Sequence, residues 1–276
     1  MLVFETIMEN AGNHINRSLA VYVNDLQSRG RYTFTRAEAA ESMVITDLAL
    51  EAALRRLKKR GRIASPRRGF YVVVPLEYRE AGCPPASWFI QDLMRFLSQP
   101  YYVGLLSAAA IHGAAHQQPM VFQVITDRTT RPALAGRVRI NFHGSRKVDR
   151  VTVTEVQTET GSMRVSTPET TAFDLVRFAA AAGHASNVAT VLSELSEKLD
   201  PAVLAKLADT YAVPEVQRIG YLLEQLGEHN LAAPLAGWLA KRRYRPIPLL
   251  PGKSAGKIAA DPKWRVLPNE TVEVDL

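Results

Sequence analysis

The chain has 276 residues, enough for one large or two ordinary domains, and its 47% hydrophobic and 22% charged content describes a folded protein with a proper core. No apolar run approaches the ~20 residues that cross a bilayer, no cationic, apolar leader opens the sequence, and the single cysteine, Cys83, rules out an internal disulfide and a cysteine-rich zinc site. The expected compartment is the cytoplasm, with no membrane partner.

The net charge of +7 is not spread evenly. Thirteen Lys/Arg and six Asp/Glu lie between Arg17 and Arg79, while the remaining 21 cations and 21 anions cancel. An excess confined to one segment points to an anionic partner for that segment, nucleic acid first.

Read in order, residues 16–29 place Leu19, Val23 and Leu26 on one helical stripe, with Asn16 as a cap and Gly30 as a stop. In TFTRAEAA, Thr35 and Glu38 have the spacing of a capping box, so a short helix follows through about Ala40. After the turn ESMVI, Thr46 or Asp47 starts a third helix, whose Leu50, Leu54 and Leu57 form a core face and whose end is Gly61. RIAS and GFYVVV then read as two strands joined by SPRRG.

Three helices followed by a basic hairpin is the order of a winged helix-turn-helix. In that arrangement the third helix enters the major groove and the wing lies along the backbone or minor groove. Thr46, Ala49, Ala52, Arg55, Arg56 and Lys59 oppose the leucine stripe. The candidate DNA-binding residues are Arg36, Thr46, Arg55, Arg56, Lys59, Arg62, Arg67 and Arg68. Cations in a last helical turn also complement the helix dipole without any ligand. Their coincidence on the third helix and the wing is what favours double-stranded DNA.

EAGCPPAS, residues 80–87, marks the expected boundary between a winged helix domain, 1–80, and a larger C-terminal domain, 86–276. The latter reads as mixed: a helix in WFIQDLMRFLSQ, an aromatic opening and small-residue helix in YYVGLLSAAAIHG, and strands in MVFQVITD, RVRINFHG, RVTVTEVQT and SMRVST. Helices follow from Thr167, with Pro168, Pro201 and Pro214 at helix starts. From about 246 a Pro/Gly-rich tail carries Trp264, Val266 and Leu267 and is expected to dock as an extended segment. The fold class is therefore α+β, an N-terminal winged helix-turn-helix before a mixed α/β domain with a helical C-terminal half.

No catalytic constellation stands out. His112 and His116 share an i, i+4 spacing, but Gly113 intervenes and no acid accompanies them, so no metal is expected. Ser107 lacks a nucleophile elbow and is expected to cap or back-bond within its helix. No phosphate-cradling loop is present, and no cofactor is implied. Asp127, Glu155 and Asp174 are the carboxylates that an alternative, a nucleic-acid-targeted enzyme, would use; a ligand-sensing regulator is the other alternative.

Several blocks, in order, resemble the AbiEi-type antitoxins. They are YYVGLLSAAAIHGAAHQQP before the strand VFQVIT, then RINFHG, then VSTPETTAFDLV, and finally DPKWRVLPNETVEVDL. Ser107, His112, Gly113, Pro168, Glu169 and Asp174 are the markers this resemblance carries. It implies a bacterial toxin–antitoxin (abortive infection) protein without enzymatic activity. The winged helix would bind operator inverted repeats and repress its own operon, and the C-terminal domain would counteract a nucleotidyltransferase-type toxin. The resemblance places the DNA-reading surface on Arg55, Arg56 and Lys59, with Arg67 and Arg68 on the wing.

Overall fold

The computed structural model describes residues 18–114 and 119–273. Asn16 and His116 lie outside the described residues. The chain divides into two compact units, the first of residues 1–99, 131–140 and 157–163, and the second of residues 100–130, 141–156 and 164–276. The first unit thus runs on past the Gly/Pro break at 80–87 and takes in two later hairpin ends.

In the first unit, α1 (Leu19–Ser28) is capped by Ser18, whose side chain accepts from the Val21 amide. It buries Leu19, Tyr22, Val23 and Leu26. Strand β1 (Thr33–Thr35) leads directly into α2 (Arg36–Glu41). There the capping box forms as its spacing predicts: Glu38 N–H donates to Thr35 Oγ1 at 3.1 Å and Thr35 N–H donates to Glu38 Oε2 at 2.6 Å. Thr46 caps α3 (Asp47–Lys59), which buries Leu50, Leu54 and Leu57 and carries Arg56, Lys58 and Lys59 in its last turn. Gly61 follows at φ 63°, the left-handed conformation that glycine adopts without side-chain strain.

The wing is β2 (Ile63–Arg67) and β3 (Phe70–Val73). With β1 they form a sheet in the order β1-β3-β2, so the segment TFT, read from sequence only as a helix lead-in, is a strand pairing antiparallel with β3. The register shifts between Ala64 and Arg67. Pro66, which has no N–H to give, sits in that irregularity on an edge strand, where its missing donor is tolerated. Helices and sheet enclose one core in which Phe34 is stacked on Tyr71 at 5.2 Å and meets Tyr22 edge-on. Further along, α4 (Ile90–Phe96) buries Ile90, Leu93 and Met94. Cys83 is buried, and burial pushes its thiol up to about 12.

The remaining strands are β4 (Tyr101–Val103), β5 (Phe122–Thr126), β6 (Ala133–Ala135), β7 (Val138–Gly144), β8 (Val153–Thr158) and β9 (Gly161–Ser166). Their order is β6-β7-β5-β4-β9-β8, with β4 antiparallel to β5 and parallel to β9. The second unit adds α5 (Leu105–Ile111), α6 (Pro168–Arg177), α7 (His184–Ser196), α8 (Pro201–Leu207), α9 (Val213–Gln225) and α10 (His229–Ala240). Thr167 caps α6 with Pro168 at its first position, and Asp200 caps α8 with Pro201 likewise. The fold is thus mixed α/β with a helical C-terminal half.

The segment beyond α10 packs on the second unit. Its short strands β10 (Ile247–Pro248) and β11 (Val266–Leu267) pair in parallel. Trp264 is fully buried, and Gln217 on α9 donates to the Trp264 carbonyl at 2.8 Å and to the Arg245 carbonyl at 3.0 Å.

Candidate functional site

Six cations of the first unit, Arg55, Arg56, Lys58, Lys59, Arg60 and Arg68, are exposed, and none takes an acidic partner among the described residues. Between α3 and the wing runs a groove of about 380 Å³ lined by Glu51, Leu54, Arg55, Lys58, Ser65, Arg68, Gly69 and Tyr71. Its floor is the edge of the core, and its rims are the helix and the wing turn. Desolvation, reinforced by Glu51, keeps the Tyr71 hydroxyl protonated by raising its pKa, while Arg36 and Arg68 oppose that shift. The chemistry on offer is that of a trough with three cations, Arg55, Lys58 and Arg68, against one acid, Glu51, and a few neutral donors, a net positive lining suited to phosphate oxygens.

The sequence-derived candidates fall into two groups here. Arg55, Arg56, Lys59 and Arg68 project to solvent beside this groove or on the outer face of α3. The other four are engaged elsewhere. Thr46 spends its hydroxyl on the helix cap, accepting from the Ala49 amide at 3.3 Å. Arg36 pairs with Asp47 Oδ1 at 3.0 Å, and its amide donates to the Gly69 carbonyl at 2.8 Å, tying α2 to the wing turn. Arg62 donates to Asn24 Oδ1 at 2.6 Å on α1. Arg67 donates to the carbonyls of Pro132, at 2.9 Å, and Arg131, and burial lowers its pKa. That guanidinium is committed to its own chain through neutral carbonyls, Pro66 at 3.4 Å being a third acceptor. The groove also includes Lys58, which the sequence reading passed over. Lys58 lies one position from Lys59 on the groove side of the helix, a placement visible from its four-residue offset to Leu54.

A second cleft of about 280 Å³ lies between α2, β1 and α4, lined by Arg31, Thr33, Glu38, Phe70, Asp92, Arg95 and Phe96 among others. Its charges satisfy one another: Arg31 pairs with Glu38, Arg95 with Asp92 at 2.9 Å, and Thr33 donates to Asp92 at 2.5 Å.

In the second unit the marker residues serve the framework. Asp174 is fully buried and accepts from Tyr102 Oη at 2.7 Å and Tyr211 Oη at 3.0 Å. Desolvation raises its carboxyl to about 6 and outweighs these two hydrogen bonds, which favour the charged form. The same burial, with Asp174 beside them, raises both tyrosines, which stay protonated donors. Tyr211 stacks on Phe173 at 4.4 Å. Nearby, Arg177 donates to Ser145 Oγ at 3.0 Å and lies 3.4 Å from Glu215, which also faces Lys147 at 3.4 Å.

Ser107 does not back-bond within its helix. Its Oγ accepts from the Gln123 amide at 2.9 Å, fastening α5 to β5. His112 closes α5, its Nε2 lying 2.7 Å from the Ser166 carbonyl, and Gly113 turns the chain at φ 74°. Glu169 Oε1 accepts from the Asp200 amide at 3.1 Å. Asp127 and Glu155 are exposed whereas Asp174 is buried, so the three carboxylates of the enzyme alternative do not converge. Among the described residues no group of three or more His, Cys, Asp or Glu is placed to hold a metal ion, and no helix is long and apolar enough to cross a membrane.

Three comparisons bear on this arrangement. Residues 102–225, from β4 through α9, match the AbiEi antitoxin C-terminal domain family. The crystal structure of the Rv2827c protein from Mycobacterium tuberculosis is similar in fold over 89% of each chain, with a TM-score of 0.65 at 17% sequence identity. No curated protein sequence matches the chain.

Proposed function

We propose, from the match of residues 102–225 to the AbiEi antitoxin C-terminal domain family, that this chain is a DNA-binding antitoxin that represses its own operon. The first unit binds operator inverted repeats as a winged helix, acting in the cytoplasm. The antitoxin domain counteracts a nucleotidyltransferase-type toxin, and the protein works by binding rather than by catalysis.

One observation carries the DNA-binding half of the reading. The outward face of α3 and the wing turn hold six cations with no acidic partner among the described residues, and Arg55, Lys58 and Arg68 converge on one groove. Unpaired cations repel one another in the free protein, and phosphates relieve that repulsion. Arg55, Arg56 and Lys59 would meet the duplex along α3, and Arg68 would meet it at the wing. Arg36, Thr46, Arg62 and Arg67 would act one step behind, setting the positions of α3 and the wing.

The test is duplex binding measured against salt. If about four of these cations contact phosphates, the logarithm of affinity should fall with the logarithm of salt at a slope of about −3.6. The double variant Arg55→Glu/Arg68→Glu should lose binding to the DNA upstream of its own reading frame. The same variant should still restore growth to cells expressing the toxin. Unchanged DNA binding would remove this surface from the reading, and loss of growth rescue in a folded variant would refute the division of labour.

A further inference from the structure

We infer that Leu48 reads thymine, packing its side chain against C5-methyl groups on the floor of the major groove. The inference rests on the DNA-binding reading above and deepens it from where the protein binds to what it distinguishes.

Helix α3 is sorted: Leu50, Leu54 and Leu57 face the core, and polar or small residues face out. The outward row, read at spacings of four, three and four, is Leu48, Ala52, Arg55 and Lys59. Leu48 breaks the sorting. It lies in the first turn, opposite the core, and is 75% exposed. The turn leading into α3 exposes Val44 as well, at 77%. In a helix-turn-helix the N-terminal residues of the third helix are the ones that reach base edges, while later cations take phosphates. The row has that polarity: apolar and small first, cationic afterwards. Ala52 adds no bulk that would hold the helix away from the bases.

The surroundings select the occupant. The patch is followed along its row by Arg55 and Lys59 and flanked by Arg56; of its two nearby acids, Asp47 pairs with Arg36 at 3.0 Å, and Glu51 lies one turn on, beside Arg55 at the groove, leaving the cations in excess. A second copy of this chain packed about Leu48 would set the same patch against itself and bring these cations toward their own counterparts. An anionic surface with apolar spots in its floor fits better. In the major groove the one apolar group presented by the four bases is the thymine methyl.

The full chain would select from a pool of short random duplexes at moderate salt, followed by binding measurements on the enriched site. Thymine should be fixed at one or more positions. Replacing one such thymine with deoxyuridine, which removes only the methyl, should weaken binding about fourfold, the value of one buried methyl-sized group. Leu48→Ala should bind the two duplexes equally, with its salt slope unchanged. Sites without a fixed thymine, equal wild-type binding to both duplexes, or a uridine penalty that survives in Leu48→Ala would overturn the assignment while leaving the DNA-binding reading in place. A change in the sedimentation of DNA-free Leu48→Ala would overturn it in favour of a second copy. If no duplex of any sequence is retained, the DNA-binding reading itself fails, and this inference with it.

Discussion

Replacing Gly220 by alanine reverses the usual effect of that change. In the interior of a helix, alanine is favoured over glycine by about 0.8–1.0 kcal/mol. On α9, however, an added Cβ at Gly220 would stand 2.0, 2.3 and 2.5 Å from Cζ3, Cη2 and Cε3 of Trp264. These are ring atoms of a fully buried side chain on a segment held by Gln217 at 2.8 and 3.0 Å. The methyl and the indole cannot both stay. Either the tail segment shifts by an ångström or more and breaks those hydrogen bonds, or the ring leaves its site. Losing the packing of a buried Trp costs about 3–5 kcal/mol. Set against the helix gain, the net loss is about 2–4 kcal/mol, which for a chain of this size lowers Tm by roughly 4–16 °C. Urea unfolding followed by circular dichroism and tryptophan fluorescence measures it directly. The control is the same change in a Trp264→Ala background, where the obstacle is gone and Gly220→Ala should stabilise by up to about 1 kcal/mol. A wild-type or higher midpoint for the single variant, or a loss that persists without Trp264, refutes the reasoning.

Two further outcomes are expected. Burial makes the folded chain hold the Asp174 proton up to about pH 6, well above the ordinary aspartate value of 3.8. Its contribution to stability is therefore complete below about pH 3.8 and is lost as pH rises through about 6, by something on the order of 3 kcal/mol. Asp174→Asn should flatten that window in urea midpoints taken between pH 4 and 7, and an unchanged pH profile counts against a buried, proton-holding carboxyl. Between the two wing arginines, Arg67→Ala should lower stability by about 1–3 kcal/mol because the carbonyls of Pro66, Arg131 and Pro132 lose their donor. Arg68→Ala should leave the urea midpoint within about 0.5 kcal/mol and act only on DNA affinity; equal effects on stability would contradict their different placements.

Much of the winged helix was legible because its signals are local. The Thr35–Glu38 box, the Leu50–Leu54–Leu57 stripe, and Gly61 each act within a few residues, and each forms where the spacing puts it. Strands β1 and β6 were not legible, since three residues carry no usable period and their identity comes from pairing with distant partners. The same distance hid the fate of Arg67, whose acceptors lie 64 and 65 positions away, and the binding of Asp174 by Tyr102 and Tyr211, 72 and 37 positions away. A charge run shows that cations are present but not which are spent internally. Leu48 was legible in principle, because a helical wheel sets it opposite the leucine stripe.

The bonding around the wing has a mechanical consequence. Arg36 ties α2 to the wing turn and to the start of α3, Arg62 ties the start of the wing to α1, and Arg67 clamps the wing to residues 131–132. A reading head braced at so many points has little compliance of its own. On the proposed DNA-binding reading, a duplex seating on it would have to supply the bend or twist that the fit requires, and the energy of that deformation would depend on base steps the protein never touches. Under that proposal, stiffness in the protein would become selectivity for flexible DNA, favouring sites with pyrimidine–purine steps between the contacted positions.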